Sequence, residues 1–284
     1  MAANKSDVLQ PWQPGIWRFR IPQGQQLIAG VTDRLGGLEE LRACLPVRGH
    51  ADGGAGGRRA WDASSRRLRR AHPHGERDMV LAGQVHGASV AVVDMSHPSS
   101  DPITGCDGLT TRRPGLALVI RTADCLPILI WDPVRQVVGL MHAGWRGLAS
   151  HLPMRVVSFV QRFYRSHSRD LVVGIGPAIR ACCYEVGEGF ESRFGPFVRE
   201  EHGRRTCDLI GCATEQLVAS GVRPRRVVDS GQCTYCSLCP GVLAEGLNDA
   251  KRWHSVRRDG ESGGRLLSFA MIRPYRSLDE MAHG

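Results

Sequence analysis

Lysine is nearly absent from this chain of 284 residues: Lys5 and Lys251 are the only two among 37 basic residues, and the rest are arginine. Arginine usage of this kind reads first as codon bias. It reads second as attraction for anionic ligands, given a net charge of +9. Long apolar runs are also lacking. No stretch approaches the ~18 residues of a membrane-spanning helix, so no membrane partner is expected. The opening MAANKSDVLQPW holds no apolar signal-peptide core, which points to a cytoplasmic location. Zinc-finger spacing, an aromatic-rich binding sheet and a basic heptad region are missing, so nucleic acid is not an expected partner.

What is present suffices for a core. Hydrophobic residues make up 42% and charged residues 23%, as in ordinary globular proteins. The length allows one large domain or two small ones. Ten cysteines without a secretion signal read as thiols or metal ligands rather than a disulfide framework.

The chain is organised around residues 121–147, RTADCLPILIWDPVRQVVGLMHAGWRG. Two aliphatic runs, 126–131 and 136–141, flank the turn Asp132-Pro133-Val134-Arg135, and each reads as a buried strand. Paired as a hairpin, they bring Cys125, before the first run, beside His142, after the second. A thiol next to an imidazole serves either as a nucleophile–base pair or as two zinc ligands. The apolar run beginning at Met79 ends in Gln84-Val85-His86-Gly87, which puts His86 in the same kind of strand-end position. It is the candidate third ligand.

QVHG, DGLTT, TADCLP, HAGWRG, IGPAI with CYEVG, and a late RRDG together resemble the multicopper polyphenol oxidase family, also called YfiH-like or laccase-domain proteins. The resemblance is dense over residues 79–189 and resumes at 233–265. It implies a mixed α/β (α+β) fold, a layered, sheet-centred single domain like that of some cysteine hydrolases. It implies a zinc-dependent purine nucleoside phosphorylase that also deaminates adenosine, with purine nucleosides and phosphate as its partners. His86, Cys125 and His142 are then the zinc ligands. Three protein ligands leave one tetrahedral position open, as in catalytic sites. The copper of the family's historical name is not supported by ligand count, because His72-Pro73-His74 is the only His-x-His.

Deamination needs activated water and a carboxylate to move protons. Asp107, Asp124 and Glu185 are the candidates. Phosphorolysis needs cationic groups and helix N–H groups on the phosphate. Arg34, matching the family's N-terminal arginine, and Arg146 are the candidates. Tyr184 is placed to stack on a base. A helix over residues 147–164, capped by Ser150, would direct its N-terminus at the same region.

Residues 1–25 form a loosely packed lead-in, and 26–284 form the catalytic domain. Residues 44–77 depart from the family, with seven arginines between Arg58 and Arg77, and residues 61–71 read as a basic-faced helix. Residues 190–197 and 207–220 read as helices. Residues 233–252 are a Cys-rich insertion. There Cys233, Cys236 and Cys239 have the spacing of a second metal site, with Cys207 or His254 as a fourth ligand. A monomer or small homo-oligomer is expected. Three other readings stay open: a Cys125/His142 cysteine hydrolase or amidase, a non-catalytic nucleoside-binding protein, and, more distantly, a polyphenol oxidase.

Overall fold

A computed structural model of the chain describes residues 8–13, 15–34, 47–48, 77–93, 102–237 and 251–273. In chain order its strands are β1 (Leu9–Gln13), β2 (Ile16–Phe19), β3 (Leu27–Thr32), β4 (Val47–Arg48), β5 (Arg77–Leu81), β6 (Val90–Val92), β7 (Gly108–Thr111) and β8 (Ala117–Thr122). They continue as β9 (Leu126–Asp132), β10 (Val137–Ala143), β11 (Val172–Ile175), β12 (Val198–Glu201), β13 (Arg204–Cys207), β14 (Val227–Asp229) and β15 (Leu266–Ile272). The larger sheet runs β1-β2-β3-β15-β8-β5-β4, and the second runs β14-β11-β9-β10-β7-β6.

The continuous apolar runs follow from burial on both faces. Every residue of β9 is buried, yet its side chains alternate between two cores. Leu126, Ile128 and Ile130 pack on helices with Val156, Val160, Ala213 and Leu217. Leu129 and Trp131 pack against the other sheet, with Leu118, Ile120, Leu266 and Ala270. The period of two along a strand makes this division. The result is three layers, sheet on sheet on helix, and a mixed α/β fold. Among the described residues no helix is long and apolar enough to cross a membrane.

Several sequence expectations change. Leu9–Gln13 and Ile16–Phe19 are strands rather than a loose lead-in. β1 and β2 pair antiparallel, β2 joins β3, and Ile16 is completely buried. The helix expected from residue 147 is two helices, Trp145–Ala149 and Leu152–Tyr164. Ser150 is not the cap of the second. His151 is, in the left-handed conformation and without a side-chain hydrogen bond. Pro153 has no N–H for an i−4 carbonyl, so a single helix cannot run through it. Cys207 closes a strand rather than opening a helix: β12 and β13 form a hairpin, and the helix is Leu209–Ala219, capped by Asp208. The charged, mostly exposed β12 lacks the apolar alternation that would have revealed it. The expectations for residues 61–71, for His72 and His74, and for Cys239 lie outside the described residues.

Candidate active site

The β9–β10 hairpin sets the site. Its register pairs His142 with Pro127 and Ala143 with Leu126. Cys125, one residue before β9, therefore lies at the end of β10. The chain then turns through Gly144, where a Cβ would come 2.9 Å from the Cys125 sulfur and 3.2 Å from His86 Cδ2. Only a glycine passes so close to both side chains.

His86 arrives from the other sheet, in the turn after β5. The donor atoms of His86, Cys125 and His142 all lie within 4.8 Å of one another, and the two imidazole rings meet edge to face at 4.7 Å. Asp107, one residue before β7, explains the convergence. Its fully buried carboxylate accepts hydrogen bonds from the backbone N–H groups of Val85 (3.1 Å), His86 (3.0 Å) and Gly87 (2.7 Å). The same carboxylate lies 2.8 Å from His142 Nδ1. With Asp107 ionised, Nδ1 carries the proton and Nε2 is left to face the thiol. One aspartate thus positions both histidines.

These contacts shift the titrating groups. Burial alone would hold the Cys125 thiol protonated, but hydrogen bonds and charge from His142 and His86 bring its pKa down to about 7. Burial alone would lower His142, but Asp107 and Cys125 raise it to about 9. For Asp107, burial is outweighed by the His142 and backbone hydrogen bonds, and its pKa is lowered.

The backbone here is held in uncommon conformations. Gln84, His86 and Asp124 all have positive φ, at 44°, 57° and 86°, as happens where surrounding contacts over-determine a site. The Gln84 side chain donates to the Arg121 carbonyl (2.6 Å) and accepts from the Arg121 N–H (2.8 Å). Asp124 accepts from Thr234 Oγ1 and from the Arg257 N–H, both at 2.7 Å, and so ties two distant segments beneath Cys125.

The three donors open into a cleft of about 650 Å³, within the usual size of small-molecule sites. Asp124 and Tyr184 line it with them, joined by Gln84, Arg121, Trp145, Arg257, Glu261 and Arg265. The Arg257 guanidinium lies 5.2 Å from the centre of the Tyr184 ring. The structure does not bring every sequence candidate here. Asp107 lies behind the trio. Arg34 pairs with Asp259 at 3.0 Å, Arg146 stacks on the Trp145 ring at 4.4 Å, and Glu185 pairs with Arg204 at the surface. None of these four lines the cleft. Its arginines are Arg121, Arg257 and Arg265, which the sequence reading passed over. The signal for Arg121 was a charge inside an otherwise apolar strand.

The expected fourth partner of the Cys-rich run also changes. Cys233 and Cys236 cluster with Cys182 and Cys183, not with Cys207 or His254. Cys207 is buried in β13, and burial pushes its thiol up to about 12.

A family model described as multi-copper polyphenol oxidoreductase laccase matches residues 56–273. Over 205 residues the chain is 34% identical to "Purine nucleoside phosphorylase YlmD" of Geobacillus stearothermophilus, covering 67% of this chain and 70% of that protein. It is 32% identical over 198 residues to "Adenosine deaminase RL5" from an unknown prokaryotic organism, covering 64% and 75%. The crystal structure of YlmD from Geobacillus stearothermophilus superposes with a TM-score of 0.75 at 28% identity, covering 94% of this chain and all of that one.

Proposed function

The chain belongs to the multi-copper polyphenol oxidoreductase laccase family, and from that premise we propose that it is a purine nucleoside phosphorylase with adenosine deaminase side activity at a zinc site. The observation that carries the reading is the trio His86, Cys125 and His142, with donors within 4.8 Å and one imidazole oriented by a buried carboxylate. The donor set fits zinc. Two imidazoles and a thiolate are its habitual ligands, three leave a position open, and a carboxylate behind a ligating histidine is the usual support. Zinc bound there supplies a Lewis acid at neutral pH.

The chain's own residues provide the rest. Trp145 and Tyr184 offer ring faces and edges for a purine. Arg121, Arg257 and Arg265 offer cationic donors to phosphate and to charge developing as the base leaves C1′. Among the candidate carboxylates, Asp124 is the one that lines the cleft, and it is the group assigned to proton transfer in deamination. Asp107 is a positioning residue.

The test is chromatography of the products from adenosine with and without phosphate. Adenine release that requires phosphate, with inosine formed in its absence, is the expected result. No turnover of adenosine, inosine or guanosine under either condition would overturn the reading.

A second reading has one observation in its favour. The lowered Cys125 and raised His142 give the metal-free site a thiolate–imidazolium pair, the activated form of a cysteine hydrolase. That enzyme would keep its activity after metal removal and lose it on alkylation.

A further inference from the structure

A second cluster of reactive side chains lies apart from the trio. The sulfurs of Cys182, Cys183, Cys233 and Cys236 all fall within 4.8 Å of one another, and all four cysteines are free. We propose that these four cysteines form a closed tetrathiolate zinc site with a structural role.

The geometry favours a metal over the other fates of clustered thiols. The Cys182 and Cys236 sulfurs are 3.8 Å apart. A disulfide would need about 2.05 Å. A tetrahedral ion with bonds of about 2.3 Å to sulfur has edges of about 3.8 Å. Four thiolates suit a soft or borderline d¹⁰ ion and close its coordination, which is the pattern of structural rather than catalytic zinc.

The fold assembles the site from two turns. In the first, the N–H groups of Cys183 and Tyr184 both bond to the Arg180 carbonyl at 2.8 Å. The second begins at Cys233, whose backbone bridges to Ala178 and whose carbonyl accepts from the Ser237 N–H at 3.1 Å.

Each turn is tied to the cleft, the first by a lining residue and the second by a hydrogen bond to one. The first holds Tyr184, which lines it. The second holds Thr234, whose hydroxyl donates to Asp124. A metal joining the two turns would fix Tyr184 and the partner of Asp124 relative to Cys125. The site is independent of the nucleoside reading, since it shares no ligand with the trio.

The test is zinc stoichiometry of the full chain purified without chelator. About two zinc ions per chain are expected, falling to about one in Cys236→Ser and to about one in His142→Ala. After cobalt exchange, the ion kept by His142→Ala should show the strong sulfur-to-metal absorption of four thiolates, and the ion kept by Cys236→Ser the weaker band of one. Cys236→Ser should also melt at a lower temperature. If that variant does not fold, titrating wild-type protein with a mercurial thiol reagent reads the same quantity, as stepwise release of two zinc ions. Equal zinc content in wild type and Cys236→Ser, no four-thiolate absorption in cobalt-exchanged His142→Ala, or a Cys182–Cys236 disulfide in the unreduced protein would overturn the proposal.

Discussion

Cys125 and His142 titrate against each other, and this gives the metal-free protein a defined pH window. Cys125 lies below its ordinary value, so its stabilising contribution exists at high pH and is lost as pH falls through about 7. His142 lies above its ordinary value, so its contribution exists at low pH and is lost as pH rises through about 9. The thiolate–imidazolium pair is therefore populated between the two. Alkylation of metal-free protein by iodoacetamide, followed by mass mapping, should modify Cys125 with a midpoint near pH 7 and spare it in metal-loaded protein. A midpoint near the ordinary thiol value of about 8.5 would contradict the pairing. The meeting of these two residues was legible in the sequence, because two apolar runs around a proline turn allow few arrangements other than a hairpin. The part played by Asp107 was not. An aspartate before a glycine looks the same whether it faces substrate or is buried behind the ligands, and burial decides that. Arg34 is named by the family resemblance and Arg146 by the helix N-terminus beside it, while Arg121 lies inside strand β8 and Arg257 in a short helix, Val256–Asp259, where no spacing marks either as facing a cleft.

At the scale of the element, the turn from β10 into the helix Trp145–Ala149 is the tightest constraint on the site. Gly144 is its N-cap, with extended φ of −80°, so glycine is needed there for space rather than for backbone freedom. Gly144→Ala would press a methyl group on the Cys125 sulfur and the His86 ring. Zinc content should fall well below that of wild type while the circular dichroism spectrum is unchanged. Full zinc retention would show that the ligands are less tightly placed than the distances state. The strand pattern of the core was readable because its apolar runs are continuous. The break before Leu152 was signalled by Pro153, yet the apolar spacing of residues 148–163 concealed it. The hairpin β12–β13 left no periodic signature, since most of its side chains face solvent.

At the scale of the molecule, the cleft lies where the two sheets end side by side. β5 and β8 of the larger sheet deliver His86 and Arg121, and the β9–β10 hairpin of the smaller sheet delivers Cys125 and His142. Neither sheet holds all three residues of the trio, which is why 39 residues separate His86 from Cys125 (125 − 86) and no local motif contains the site. The positive net charge favours the approach of phosphate to the arginines of the cleft. The proposed function requires that the trio binds zinc and that nucleoside turnover depends on it. The most direct test measures zinc content and adenosine turnover on the same samples: wild type, wild type stripped by chelator and then reloaded, and Cys125→Ser. Turnover should fall as zinc leaves, return with reloading, and be absent in Cys125→Ser together with the zinc of the trio. Turnover that survives complete metal removal but is abolished by alkylation of Cys125 would contradict the account and leave the thiol as the nucleophile.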